Sequence, residues 1–132
     1  MSVQKKQLSQ QSEKKAQIAL KAYFNMAQQW QLNNAQQIKL LGAPSRATFF
    51  RWKKEEVKDI SQDTFERISY LLGIYKALHI LFTIPEQANT WLHRDNQAEL
   101  FAGRSALEFM LQGKMINLFE TRKYLDAQRG GI

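Results

Sequence analysis

The residue types that most often perform catalysis or bind metals are scarce in this sequence. It contains no cysteine, and its two histidines, His79 and His93, lie on either side of a predicted helix break without the spacing of metal ligands. Ser105 and Glu108 have the spacing of a helix capping box, which gives both side chains a structural role. The segment FAGRS has neither the lysine nor the following strand of a phosphate-binding loop. The sequence therefore predicts a protein that is not an enzyme and has no metal or cofactor.

A different chemistry is concentrated in residues 42–56, GAPSRATFFRWKKEE, where four cations and three aromatic residues follow a glycine–proline turn. On a helix that turns about 100° per residue, Phe49 and Trp52 fall on one side and pack inward. Arginine and threonine on the other side suit base edges, an exposed aromatic ring suits a thymine methyl group, and lysine suits phosphate. The candidate DNA-binding residues are Ser45, Arg46, Thr48, Phe50, Arg51, Lys53 and Lys54.

The net charge of +7 is unevenly distributed along the chain. Residues 1–60 contain eleven Lys and Arg against four Asp and Glu, whereas residues 61–132 contain eight of each. A basic half followed by a neutral half favours a module that binds a polyanion, joined to a module with another task. The absence of cysteine favours a reducing cytoplasm. No stretch approaches the roughly 18 consecutive apolar residues of a membrane span, and the polar first residues do not form a secretory signal.

The elements around the basic stretch form a helix-turn-helix pattern. Asn33 or Asn34 can cap a short helix, which Gly42 and the proline after it would end. Ser45 can then cap a second helix that continues to about Lys54. Two short helices joined in this way are typical of a DNA-binding unit whose second helix enters the major groove.

The long helices on either side of this unit are also predicted from the pattern of apolar residues. Residues 1–15 are rich in Gln, Ser and Lys and are predicted to be disordered, and an amphipathic helix is expected from Ala16 to Trp30. Ser61 can cap the longest helix, whose apolar positions through Phe82 cover more than one face. We expect this helix to be buried on several sides and to contribute to the contact between two subunits.

Shorter helices are predicted in the last third of the chain. Pro85 suits the first position of a helix through Leu92, Ser105 can open another that continues to Leu111, and Gly113 precedes the last helix. The apolar residues of that last helix are Met115, Ile116, Leu118, Phe119 and Leu125. The final AQRGGI is expected to be loose. Because no stretch alternates with a period of two residues, the predicted fold class is all-α.

Segments in both halves of the sequence carry the pattern of a known family. LLGAPSRATFFRWKK and ISQDTFERISYLLGIYKAL in the first half, and ANTWLHRDNQAELFAGRSALEFMLQG in the second, resemble the Xre-like helix-turn-helix region and the C-terminal toxin-binding domain of the Xre/MbcA/ParS antitoxin family. The residues that match the second pattern are Trp91, Leu92, Asn96, Gly103, Arg104, Ser105, Leu107, Leu111 and Gly113. Ala106 departs from this pattern, since the family usually has proline there, and alanine is compatible with the same helix. The resemblance extends from about Ala16 to the C-terminus.

This resemblance implies an antitoxin with an Xre-like helix-turn-helix bundle over residues 16–82, which binds DNA and dimerises, and a small helical toxin-binding domain over residues 83–132. Family members bind a RES-domain toxin, which consumes NAD, occlude its active site, and repress their own operon by binding operator DNA. A homodimer and a hetero-oligomer with the toxin are implied. We expect residues from about Pro85 onward to suffice for toxin binding. The candidate toxin-binding residues are Trp91, Arg104, Ser105, Glu108 and Arg129, the last in a tail that could reach into a cleft of the partner.

Two other functions fit the same residues. One is a plain dimeric helix-turn-helix repressor whose C-terminal half only holds two copies together. The other is an adaptor that binds proteins alone, so that its basic half meets an acidic partner rather than DNA. A RES-domain toxin encoded beside the gene would favour the antitoxin over both alternatives.

Overall fold

The computed structural model describes residues 3–130, apart from the side chain of Leu8, as helices joined by short connections. The α-helices are α1 (Val3–Gln29), α2 (Asn34–Leu41), α3 (Arg46–Lys53), α4 (Gln62–Leu81), α5 (Pro85–Thr90), α6 (Ala106–Met110) and α7 (Met115–Gln128). A turn of 3-10 helix, Trp91–His93, follows α5 directly. Within residues 3–130 no strand forms, and an isolated antiparallel bridge joins Asp95 to Ser105. The predicted all-α class is confirmed.

Polar side chains cap four of these helices as the sequence predicts. The side chains of Asn33, Ser45, Ser61 and Ser105 each accept a hydrogen bond from the backbone N–H three residues later, over 2.8–3.1 Å. Each cap satisfies an N–H group that has no partner inside its helix, and a cap of this kind contributes about 1 kcal/mol. Local chemistry therefore determines where α2, α3, α4 and α6 begin.

Helix α1 differs from the prediction at its N-terminal end. The sequence predicts disorder over residues 1–15, whereas the structure has helix from Val3 onward, and Met1 and Ser2 lie outside the described residues. The physical reason is that a helix already formed and packed from Ala16 onward extends without a new nucleation cost. Gln, Lys and Glu, which make up most of the extension, all have high helix propensity.

A buried hydrogen bond ties α1 to α2. The hydroxyl group of Tyr23 donates to the backbone carbonyl of Gln37 over 3.0 Å, and the Gln37 amide donates to the carbonyl of Leu32 over 2.8 Å. Burial raises the pKa of Tyr23 above its ordinary value of 10.0. The helix-turn-helix unit is therefore anchored to α1 by a phenol that stays neutral.

Helix α4 is the centre of the core. It packs most extensively against α7, and it also contacts α1, α2 and α5. Its buried residues are Thr64, Ile68, Leu71, Ile74, Ala77 and Leu78. Because fully burying one large apolar side chain contributes roughly 1.5–3 kcal/mol, α4 holds together the helices before it and the helices after it. The prediction that this helix is buried on several sides is confirmed.

Helices α4 and α7 approach each other closely at Gly73. A methyl group on Gly73 would overlap the guanidinium group of Arg122, which lies against the α4 backbone. One turn earlier in both helices, the rings of Tyr70 and Phe119 meet edge to face with centroids 6.0 Å apart. These two contacts have the same order along both helices, so α4 and α7 run in the same direction.

Candidate functional site

The inner side of α3 is part of the core. Phe49 is fully buried and Trp52 is almost so, and the Phe49 ring meets Phe24 of α1 edge to face at 5.8 Å. These contacts confirm the inward side that the sequence predicts. They also pack α3 against α1, so its other side faces away from the core.

The outer side of α3 carries the predicted cations. Arg46, Arg51 and Lys54 are exposed, and Thr48 and Phe50 are half-buried at the edges. The guanidinium carbon of Arg46 lies 5.4 Å from the centre of the Phe50 ring, and Arg51 donates to the hydroxyl oxygen of Thr48 over 3.1 Å. Each arginine is therefore in contact with a neighbour on the same helix.

Two other predicted DNA-binding residues face partners within the protein. The hydroxyl group of Ser45 donates to Thr48 over 3.0 Å while it accepts the N–H bond that caps α3. The ammonium group of Lys53 donates to the side chain of Asn34 over 3.0 Å and lies 5.4 Å from the Phe49 ring centre. Ser45 therefore shapes the start of α3, and Lys53 joins the end of α3 to the start of α2.

The turn before α3 is in contact with the C-terminal part of the chain through Arg67. Gly42 has φ +62°, and a Cβ atom there would lie 2.9 Å from the Nε atom of Arg67. Arg67 also pairs with Asp63 at 2.8 Å and donates to the carbonyl of Gly113 over 3.1 Å, and its side chain is only 11% exposed. The contacts of Arg67 with Gly42 and Gly113 were not predicted from the sequence. The i,i+4 spacing of Asp63 and Arg67 indicates their pair, but nothing local indicates Gly113.

Trp91 lies in an aromatic cluster rather than alone on the surface. Its ring stacks on Tyr124 of α7 at 6.4 Å between centroids and meets Phe101 edge to face at 5.8 Å. Phe101 is fully buried and also contacts Phe109. Trp91 itself is half-buried, so one part of the indole supports the loop while the rest reaches the surface.

A hairpin-like loop presents Arg104. The backbone of Asn96 donates to the carbonyl of Arg104 over 3.0 Å, and Gly103, with φ +89°, donates to the carbonyl of Asn96 over 2.9 Å. Arg104 is exposed, and its guanidinium carbon lies 5.9 Å from the Phe109 ring centre. The glycine conformation closes the loop and leaves the arginine on its outside.

The side chains of Ser105 and Glu108 differ in exposure. Ser105 is buried, and its hydroxyl oxygen accepts from the N–H of Glu108 over 3.0 Å, which opens α6. The carboxylate of Glu108 is exposed and accepts a long 3.4 Å bond from the same hydroxyl group. Ser105 therefore positions the loop from inside, and Glu108 lies on the surface beside it.

The end of α7 is more regular than the sequence predicts. The helix includes Ala127 and Gln128, which the sequence places in a loose tail, and Arg129 caps it through its N–H bond to Leu125 at 3.1 Å. The guanidinium group of Arg129 is 3.7 Å from the Asp126 carboxylate. The reason for the difference is that the packed α7 extends by two further residues, alanine and glutamine, which both have high helix propensity. Gly131 and Ile132 lie outside the described residues.

The histidines have structural partners. His79 shares a hydrogen bond of 3.1 Å with Asn89, and His93 shares one of 2.7 Å with the carbonyl of Trp30. Across the part of the chain that the structure describes, no three His, Asp or Glu side chains group closely enough to hold a metal ion. None of the helices described over residues 3–130 is both long and apolar enough to span a membrane.

Comparison with known proteins identifies both halves. The model of the antitoxin Xre-like helix-turn-helix domain matches residues 11–73, and the model of the antitoxin Xre/MbcA/ParS C-terminal toxin-binding domain matches residues 77–131. A relative from Sinorhizobium fredii, described as uncharacterized protein y4oB, is 52% identical over 112 residues, which are 85% of this chain and 84% of the relative. The chain belongs to the Xre/MbcA/ParS antitoxin family. All of α3 lies in the first matched part of the antitoxin, and Trp91, Arg104, Glu108 and Arg129 lie in the second. The two matches meet inside α4.

Proposed function

We propose that this protein neutralises a NAD-consuming RES-domain toxin by occluding its active site, and that it represses its own operon by binding the operator. The observation that carries the DNA-binding part is the two-sided α3, with Phe49 and Trp52 buried beneath exposed arginines. The toxin-binding part is supported by the C-terminal family match, whose residues include the exposed loop around Arg104.

In the operator complex, α3 lies in the major groove. Arg46 and Arg51 present forks of N–H donors that fit the two acceptors of a guanine edge, and Phe50 lies where a ring can contact a thymine methyl group. Thr48 orients Arg51 through the bond they already share, and Lys54 contacts phosphate. A helix of eight residues makes a small contact by itself, so two copies bind two half-sites.

The homodimer that two half-sites require is proposed to form through α4 and neighbouring surface. Apolar side chains remain 39–54% exposed on α4, on the α4–α5 connection and on α7, at Phe65, Ile80, Ile84, Ile116 and Phe119. The sequence places Ile116 and Phe119 among the apolar residues of α7, and the structure turns both outward. Apolar residues beyond what the monomer core uses are typical of a surface that is covered in an assembly.

Toxin binding is proposed to be steric, without chemistry supplied by the antitoxin. Trp91, Arg104 and Glu108 lie on or beside the loop that precedes α6, and Ser105 contributes by holding that loop from inside. Arg129 at the end of α7 can occupy a site built for a phosphate-bearing substrate, because guanidinium groups pair well with phosphate sites. The toxin's substrate is thereby kept out.

The DNA-binding part is tested with the duplex upstream of the protein's own gene. The double variant Arg46→Ala/Arg51→Ala is expected to lose roughly 1–3 kcal/mol of binding for each arginine that contacts a base. Lys76→Ala/Lys123→Ala, which removes the same charge from exposed sites on α4 and α7, is the matched control. Equal operator affinity of the two folded variants would sink the assignment of α3.

The toxin-binding part is tested by co-expression with the protein encoded by the adjacent gene, with growth and NAD content as readouts. Arg104→Glu is expected to reduce neutralisation because it reverses the charge at an exposed position of the loop. Operator binding without any neutralisation would leave a plain dimeric repressor. Neutralisation without any DNA binding would leave a protein-binding adaptor.

A further inference from the structure

One face of α1 carries hydrogen-bond donors that the proposed function does not use. Lys14, Lys21, Asn25 and Gln28 are separated by seven, four and three residues, so they share one face of the helix. All four are exposed. We call these four residues the α1 donor stripe. Ile18, which is also exposed, lies on the same face between Lys14 and Lys21.

The α1 donor stripe borders two hollows that reach α3. One hollow of about 540 Å³ is lined by Lys14 and Lys21 of α1 and by Lys53 of α3, with Glu55 as its acidic residue. A second hollow of about 510 Å³ is lined by Asn25 and Gln28 together with the same Lys53, and no acidic residue lines it. Lys53 therefore joins the stripe to the end of α3.

The length and charge of the stripe match a nucleic-acid backbone. At about 1.5 Å per residue, the distance from Lys14 to Gln28 is roughly 21 Å. Each strand of a duplex presents one phosphate for about every 3.4 Å of axis, so a stripe aligned with the axis extends over roughly six base pairs. Ammonium and amide N–H groups are the donors that phosphate oxygens accept from.

We propose that the α1 donor stripe and Lys53 bind the sugar–phosphate backbone of the duplex that α3 reads. This proposal rests on the proposed operator binding and extends its contact surface from α3 to α1. An acidic protein partner is the alternative occupant, since Ile18, Leu20, Phe24, Trp52 and Val57 also line the hollow between α1 and α3. The exposed donors of the stripe itself favour phosphate. The contact positions the duplex and adds affinity without adding sequence preference.

The test measures binding of the full-length protein to a duplex of unrelated sequence by fluorescence anisotropy, between about 50 and about 200 mM salt. Log affinity falls as log salt rises, with a slope of about −0.9 for each phosphate contact. The variant Lys14→Ala/Lys21→Ala loses two such contacts, so its salt dependence is expected to be less steep by about 1.8. At about 100 mM salt, affinity is expected to fall roughly 10- to 100-fold. Both positions are exposed on a helix and alanine is the best helix former, so the variant folds.

The control is Lys76→Ala/Lys123→Ala, which has the same net charge as the test variant. The proposal is overturned if Lys14→Ala/Lys21→Ala has the same salt slope as the control. It is also overturned if this variant keeps the wild-type slope but no longer co-purifies with the toxin, because the stripe would then be a protein-docking surface. If Arg46→Ala/Arg51→Ala leaves operator affinity unchanged while the stripe variant weakens binding, the assignment of α3 fails and the α1 contact stands. A wild-type protein that binds no duplex overturns both.

Discussion

At the scale of single residues, two side chains donate hydrogen bonds to backbone carbonyls of other parts of the fold. Tyr23 joins α1 to α2 through the carbonyl of Gln37, and Arg67 joins α4 to the carbonyl of Gly113. Neither pair is close in sequence. The bond of Tyr23 is buried and that of Arg67 is partly buried. A buried carbonyl that loses its donor costs about 1–3 kcal/mol, so Tyr23 is more consequential than its single bond suggests.

Tyr23→Phe is expected to destabilise the protein at neutral pH and to do so less at alkaline pH. At neutral pH the free energy of unfolding falls by about 1–3 kcal/mol, because the buried carbonyl of Gln37 loses its donor. Burial raises the pKa of Tyr23 in the folded protein, so the unfolded state loses its proton first as pH rises past 10.0. The wild type therefore loses stability above this pH, and the variant lacks that contribution.

Urea unfolding of both proteins near neutral pH and at several alkaline pH values makes this comparison. The difference in unfolding free energy between wild type and Tyr23→Phe is expected to narrow as the pH increases. A difference that stays constant across the alkaline range would contradict the assignment of a neutral, buried phenol.

Arg67→Ala is expected to lower the free energy of unfolding by about 1–3 kcal/mol, because the Gly113 carbonyl loses its donor and Asp63 loses its ion pair. Arg94→Ala is the control, since Arg94 is exposed and bonds only within its own neighbourhood, to Gln87 and Thr90. Thermal and urea unfolding of both variants measure the difference. Equal losses in the two would mean that the contact across the fold contributes nothing.

At the scale of elements, the sequence predicts what is decided locally. Asn33, Ser45 and Ser61 were predicted as caps because a cap needs only its own side chain and the next few N–H groups. The two sides of α3 follow from helical spacing in the same way. The helical start of α1 was missed because it depends on a packed helix further along the chain.

Other features of the candidate site depend on residues far apart in the sequence. The aromatic support of Trp91 comes from Phe101 and Tyr124, and no spacing rule connects these three residues. The outward direction of Ile116 and Phe119 depends on how much of α7 the core covers. Tertiary packing decides such features, so the sequence alone did not predict them.

Ser45→Ala is expected to destabilise α3, which is only eight residues long and starts with this cap. We expect the free energy of unfolding to fall by about 0.5–2 kcal/mol, with weaker operator binding as α3 frays. Ser69→Ala, at an exposed interior position of α4, should be neutral or slightly stabilising because alanine is the better helix former. Thermal unfolding measures both, and a Ser45→Ala melting temperature at or above that of Ser69→Ala would rule out the cap.

At the scale of the whole molecule, α4 belongs to both functional halves. It carries the α1 and α2 contacts on one side and the α7 contact on another, and the two family matches meet within it. This arrangement changes the expectation that residues from about Pro85 onward are enough for toxin binding. Without α4, helix α7 loses the surface on which it packs most extensively.

We therefore expect a fragment of residues 83–132 to be largely unfolded, and a fragment of residues 62–132 to retain helical structure because it keeps α4 with α7. Far-ultraviolet circular dichroism of the two fragments, with urea titration, measures this difference. A cooperative unfolding transition in the shorter fragment would contradict it and restore a boundary after Phe82.

The shared α4 also has a consequence for how the protein is removed from the cell. A processive protease unfolds a chain from one end. The remaining fold is lost once the central cooperative unit unfolds. Helix α7 packs directly on α4, and α3 packs on α1, which itself packs on α4, so a pull on either terminus that unfolds α4 weakens the support of both. On the proposed function, degradation would free the operator and the toxin in a single event, so that the rate of proteolysis would set the timing of derepression and of toxicity together.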